Sequence, residues 1–140
     1  MGAATALFYC SKYENANIEA MIIDTSYSKF RETFDFIASV FSIPEFLVAS
    51  IYKFINEEIQ KKGFNLDELN PIDGIAKCTV PALFVYANKD TIVPTTHTPE
   101  LHDKYPNPDK KIILVDGDHN SIRPLDVQTQ IFDYLQKYLC

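Results

Sequence analysis

The feature that most constrains this chain is a pattern used three times: a short apolar run that stops in a polar cluster. Ile18-Glu-Ala-Met-Ile-Ile-Asp24 leads into Asp24-Thr25-Ser26, and Pro81-Ala-Leu-Phe-Val-Tyr-Ala87 leads into Asn88-Lys89-Asp90. Lys111-Ile-Ile-Leu-Val-Asp116 leads into Asp116-Gly117-Asp118-His119-Asn120. Runs this short and this apolar suit strands buried on both faces of a parallel sheet, with loops at their C-terminal ends.

Helical spacing fills the intervals. Ala3, Ala6, Leu7 and Cys10 predict a helix over 2–13, and Phe30, Phe34, Ile37, Ala38 and Phe41 predict a second from about 28 to 41, its aromatic stripe facing the core. Ser42-Ile-Pro-Glu45 has the form of a capping box with Pro44 in the first turn. The third helix, starting there, is expected to bury Leu47, Ile51, Ile55 and Ile59 and to end at Lys61-Lys62-Gly63. The segment 64–78 reads as a packed, irregular connection, and Thr98-Pro99-Glu100 is expected to cap a short helix reaching about Lys104. Pro124 opens a last helix with Leu125, Gln128, Ile131, Phe132, Leu135 and Tyr138 on its face. The order helix, strand, two helices, strand, helix, strand, helix predicts an α/β fold with three parallel strands joined by right-handed crossovers.

A net charge of −6, with the basic residues scattered, argues against nucleic acid as a partner. No apolar run approaches the roughly 18 residues of a membrane span, and no secretory leader opens the chain, so a cytoplasmic location is expected. Cys10, Cys78 and Cys140 fit neither a disulfide framework nor a metal motif and are expected as free thiols. No cofactor is implied. His97 and His102 lie about 140° apart on a helix, which rules out a shared metal by helical spacing; both are expected to be solvated. Asp116, Asp118 and His119 form a weak cation signal that a catalytic histidine explains better, so no metal site is expected.

In a parallel sheet, reactive groups gather beyond the C-terminal strand ends. Asp90 and His119 stand on the loops after successive strands, where an acid accepting the imidazole Nδ1–H fixes the tautomer and stabilises the imidazolium. On residue types alone this pair competes with a turn aspartate and a loop histidine. Ser26 also lies on the functional side but lacks the glycines of a nucleophile turn, and a local cap suits it better. Ser11, Ser39 and Ser50 fall within helices, and Cys10 on an apolar stripe. Arg123 is a candidate for positioning a carboxylate or loop, against the alternative of a surface cap.

The run from Pro81 to Pro94, with Asp90 followed by Thr-Ile-Val-Pro, and then Val115-Asp-Gly117-Asp118-His119, resembles the closing half of α/β-hydrolases. The resemblance extends over essentially the whole chain, through Ser121-Ile-Arg-Pro124, and is nearest to serine-aminopeptidase-like or lysophospholipase-like branches. It implies Asp90 as triad acid and His119 as base. Met1-Gly2-Ala3-Ala4 resembles the residues after the serine of a Gly-x-Ser-Met-Gly elbow, which makes Met1 the oxyanion-hole backbone position. The elbow itself and the upstream oxyanion loop are not in these 140 residues.

The chain is therefore expected to be a partial α/β-hydrolase domain over 1–140, the C-terminal half of a serine hydrolase acting on an ester, thioester or amide. It carries no nucleophile and is expected to be inactive alone. The complete enzyme would take a small-molecule or lipid-like acyl substrate, with the phenylalanines between Ser28 and Lys62 lining an acyl site or simply the core. Two alternatives stay open: a catalytically dead binding module, and a half-enzyme completed by another chain. An unpaired sheet edge at the first strand is expected to expose Met21 and Ile23 and to invite self-association or a partner chain.

Overall fold

The computed structural model describes residues 1–13 and 17–139. Cys140 lies outside them. The elements are α1 (Gly2–Lys12), β1 (Met21–Asp24), α2 (Phe30–Val40), α3 (Glu45–Gln60), α4 (Pro71–Gly74), β2 (Ala82–Ala87), α5 (His97–Lys104), β3 (Lys110–Val115) and α6 (Leu125–Leu139). Two single 3-10 turns, Leu66–Glu68 and Ile75–Lys77, knit the connection before β2. The expected order of helices and strands is present, with β1 starting later than its apolar run.

The three strands form one parallel sheet in the order β1-β2-β3. Successive side chains of a strand point to opposite faces, and β2 divides its residues accordingly. Ala82 and Phe84 join Leu7, Cys10, Met21, Ile23, Ile75, Leu101 and Tyr105 in a core beneath α1, α5 and the second 3-10 turn. Leu83, Val85 and Ala87 join Val115, Val127 and Tyr134 in a second core under α6. The Phe84 ring meets Tyr105 edge-on at 5.3 Å, and the Tyr105 hydroxyl donates to the Val80 carbonyl at 2.6 Å.

Several expectations fail for physical reasons. Met21 and Ile23 are buried, because α1 lies across the face of β1 on which they stand. The exposed apolar side chains of the sheet are Ile112 and Leu114, on β3. The capping box does not form: Ser42 takes φ 54°, with its N–H donating to Ser39 O and that of Ile43 to Ala38 O, both at 2.9 Å. That left-handed residue closes α2 by a Schellman-type end, and Pro44 takes the N-cap of α3. Thr98 caps nothing; its hydroxyl, inside the first turn of α5, donates to Ser26 O at 3.2 Å.

The third helix is rotated from its expected setting. Val48, Tyr52 and Asn56 are buried, whereas Leu47 and Ile51 are 42% and 43% exposed. The reason is polar. Asn56 receives the Leu66 N–H at 2.8 Å and donates to Asp67 at 3.1 Å, while the Tyr52 hydroxyl donates to Asp67 at 2.8 Å. These bonds set the rotation, and Phe41, Phe46 and Phe54 face outward, so the aromatic stripe of 30–41 is core only in part. In α6, likewise, Val127 and Tyr134 are buried while Leu125 and Phe132 are exposed.

The rotation makes a stability prediction. Tyr52→Ala should cost on the order of 3 kcal/mol, as for loss of a buried aromatic, whereas Ile51→Ser should stay within about 0.5 kcal/mol. Urea midpoints of the two variants check this, and an Ile51→Ser loss matching that of Tyr52→Ala would show the other face to be the packed one.

Candidate active site

The C-terminal ends of the strands point the same way, so their loops converge. Asp90, on the loop after β2, has a fully buried side chain, and a carboxylate there must find its hydrogen bonds within the protein. Its Oδ1 accepts from the Ile92 and Val93 N–H groups at 2.8 and 2.7 Å. The other oxygen, Oδ2, lies 2.8 Å from Nδ1 of His119, whose side chain is 23% exposed. The Nδ1–H therefore donates to the carboxylate, and Nε2 is the acceptor nitrogen, with no hydrogen-bond partner among the described residues.

The histidine loop is stitched to the acid loop. Lys89 N–H donates to Gly117 O and Gly117 N–H to Asn88 Oδ1, at 3.0 and 3.1 Å. Asn88 and Lys89 side chains both reach Asp116, at 2.9 and 2.8 Å, which holds the Asp116 carboxyl below its usual range. Asp118 Oδ1 accepts from the His119 N–H and from the Thr91 hydroxyl. Gly117 has φ +145°, and a Cβ there would sit 2.9 Å from the Ser121 side chain, so the Gly-x-His spacing has a steric cause.

Arg123 completes the cluster. Its Nε and Nη2 donate to the two oxygens of Asp24 at 3.0 and 2.8 Å, the bidentate arrangement a planar guanidinium favours. Met1 is the N-cap of α1, its carbonyl accepting from Thr5.

The serines sort plainly. Ser26 is buried with its hydroxyl donating to Tyr27 O, and buried Ser28 donates to Glu100 at 2.8 Å. Ser11, Ser39 and Ser50 donate to carbonyls of their own helices, and Ser121 accepts from Asp118 N–H. Cys10 and Cys78 are buried in the α1 core, and burial pushes the Cys78 thiol up to about 12. Among the described residues no group of three or more His, Cys, Asp or Glu is placed to hold a metal ion.

His97 and His102 depart from expectation. His102 stands edge-on to the Phe84 ring at 5.6 Å. His97 is only 2% exposed, its Nδ1 accepting from the Ser28 N–H at 3.3 Å and its Nε2–H facing Glu32 at 3.3 Å. The sequence does not signal this, because Ser28 lies 69 positions away.

Burial lowers the His97 pKa below its usual 6.5, against the opposing pull of Glu32 and Glu100. A depressed folded-state value means that the unfolded chain takes up the proton first. Stability is then fully present above about pH 6.5 and is lost as pH falls towards and through the lowered value, with a slope of up to about 1.4 kcal/mol per pH unit. His97→Gln should remove that part of the slope, and urea midpoints measured between pH 7 and pH 5 check it.

The architecture matches solved structures along nearly the whole chain. An esterase from Pyrococcus furiosus superposes with TM-score 0.68 at 17% identity, covering 99% of this chain and 51% of that one. An α/β-hydrolase enzyme from a Medee basin deep-sea metagenome library gives 0.58 at 14% identity, covering 98% and 61%. An acylaminoacyl peptidase from Pyrococcus horikoshii gives 0.69 at 14% identity, covering 99% and 22%. Among curated proteins, the uncharacterized protein YqkD of Bacillus subtilis (strain 168) is 26% identical over 120 residues, 85% of this chain and 39% of that protein. No protein-family model matches. The chain has the α/β-hydrolase fold, corresponding to its C-terminal half, and spans about half or less of the length of the esterase, the peptidase and YqkD. No helix among the described residues is long and apolar enough to cross a membrane.

Proposed function

We propose that Asp90 and His119 are the acid and base of a serine-hydrolase site that cleaves an ester, thioester or amide through an acyl-enzyme. The observation that carries the reading is the 2.8 Å contact from a fully buried carboxylate to Nδ1, at the C-terminal ends of adjacent parallel strands. Nε2, left as acceptor, takes the proton of a serine hydroxyl as its oxygen attacks the acyl carbon, and returns it to the leaving alcohol, thiol or amine. Water then attacks the acyl-enzyme by the same relay. Asp90 stays ionised and stabilises the imidazolium. The names of the fold neighbours, esterase and peptidase, agree with this class of reaction.

Ser26, Ser28 and Ser121 are each hydrogen-bonded to local groups or buried partners, which supports a nucleophile supplied from elsewhere. We place the nucleophile outside these 140 residues, before Met1, with the Met1 N–H as one oxyanion donor. The residues form one partial domain, a fragment inactive by itself, and the first strand's free edge takes the rest of the sheet or a partner chain. A second reading, a non-catalytic binding module, is favoured by one observation: Phe41, Phe46 and Phe54 stand exposed around α3.

The test begins with the intact mass and N-terminal sequence of the natural polypeptide, followed by hydrolysis of p-nitrophenyl butyrate and fluorophosphonate labelling. Asp90→Asn and His119→Gln in that polypeptide should each lower kcat by about 10³–10⁴-fold. The 140-residue chain should neither turn over nor label. Labelling of a serine within it would overturn the placement of the nucleophile. An unchanged kcat in His119→Gln would overturn the role of His119 as base, and a natural polypeptide that neither turns over nor labels would leave the binding-module reading.

A further inference from the structure

We propose that Arg123 is a positioning residue that fixes His119 over Asp90 by pinning the far side of its loop to the end of β1; this rests on the reading of Asp90 and His119 above. The argument starts from the sheet. β1 and β3 flank β2, so their axes lie about 9–10 Å apart. His119 follows β3 but must stand over Asp90, which follows β2, so the loop 116–124 has to turn back across the sheet's end. The bonds to Asn88, Lys89 and Thr91 anchor only its first residues, 116–118.

The second anchor is one guanidinium. Arg123 Nη1 donates to the carbonyls of Asp118 and Ser121 at 3.3 and 3.0 Å, and Nη2 to that of His119 at 3.4 Å. The same group is forked onto Asp24, and Nη2 also reaches the Thr25 hydroxyl at 3.0 Å. Three carbonyls of the histidine loop are thus tied through one rigid plane to the last residue of β1. Lysine has neither the plane nor the five donors, so this geometry is specific to arginine.

An independent observation lies at the receiving end. Thr25 takes φ 51°, a left-handed conformation that a β-branched residue adopts only when its surroundings enforce it. Its N–H donates to Val85 O at 2.8 Å and its hydroxyl to Asp24 Oδ1 at 2.7 Å. The turn therefore holds the Asp24 carboxylate and the Thr25 oxygen side by side, both facing one guanidinium. The strain sits where the clamp closes, and nothing in the ordinary exit of a strand requires it.

The test uses Arg123→Lys, Asp24→Asn and their combination. In 1H–15N spectra of the natural polypeptide, the His119 Nδ1 proton should be visible and slow to exchange. In each variant it should exchange about tenfold faster, the effect expected for a lost charge-assisted bond, while amide shifts outside 24–25 and 116–124 stay put. The double variant should be no worse than either single one, because both remove the same clamp. In the natural polypeptide, Arg123→Lys should lower kcat about tenfold with KM unchanged. Unchanged proton exchange and kcat in Arg123→Lys, with His119→Gln still inactive, would overturn the clamp alone. A His119 Nδ1 proton that exchanges no more slowly than in Asp90→Asn would sink the underlying acid–base reading, and the clamp with it.

Discussion

The structure depends on β2 being buried on both faces. Ala82 to Val85 pair with β1 on one side and all six residues, Ala82–Ala87, pair with β3 on the other, and every side chain but that of Tyr86 falls into one of two cores. Such a strand carries no charged side chain along its length, so the first place a charge can stand is just past its end. Asp90 is there, and its location follows from where the apolar run stops. The two cores then fix the helices: α1 and α5 must cover Phe84, and α6 must cover Leu83 and Val85.

A buried carboxylate is costly unless every lone pair is used, and Asp90 uses them in two directions. Two backbone N–H groups hold Oδ1, which fixes the carboxylate's orientation whatever the histidine does. Oδ2 is then aimed at Nδ1. His97 shows the opposite arrangement in the same molecule: a backbone N–H occupies Nδ1, so the proton sits on Nε2 facing Glu32. The two histidines thus hold opposite tautomers, each dictated by what its Nδ1 meets. Only in His119 does this leave an acceptor nitrogen without a partner in the described structure, the state a general base needs.

Much of this is legible in the sequence because it is local. The apolar runs before Asp90 and His119, the proline after Asp90 and the glycine two residues before His119 sit within single strand-loop units, and the pair meets because the strands are neighbours. The helix rotation is not legible. Between Phe46 and Ile55 apolar residues occur on every face of α3, so periodicity alone does not choose Val48 and Tyr52 over Leu47 and Ile51. The choice is made by Asn56 and Tyr52 bonding to the 65–67 turn, a polar signal in a stripe that reads as apolar. Burial of Met21 and Ile23 is hidden for a different reason: the free edge of a strand concerns its backbone, and its faces can still be covered by α1.

Long-range polar contacts are the least legible and have the most consequence for the site. Arg123 and Asp24 are 99 positions apart, and each alone looks like a surface charge at the end of an element. Topology joins them, since only the crossing of the loop over the end of β2 brings a residue that follows β3 to the end of β1. A parallel sheet delivers its strand ends to one place but does not align the loops that leave them. Alignment to within about half an ångström needs ties between loops whose partners are rigid. The Asp24–Thr25 turn, strained and bonded to Val85, is such a partner, whereas a carboxylate on a freely turning loop would move with the group it was meant to hold.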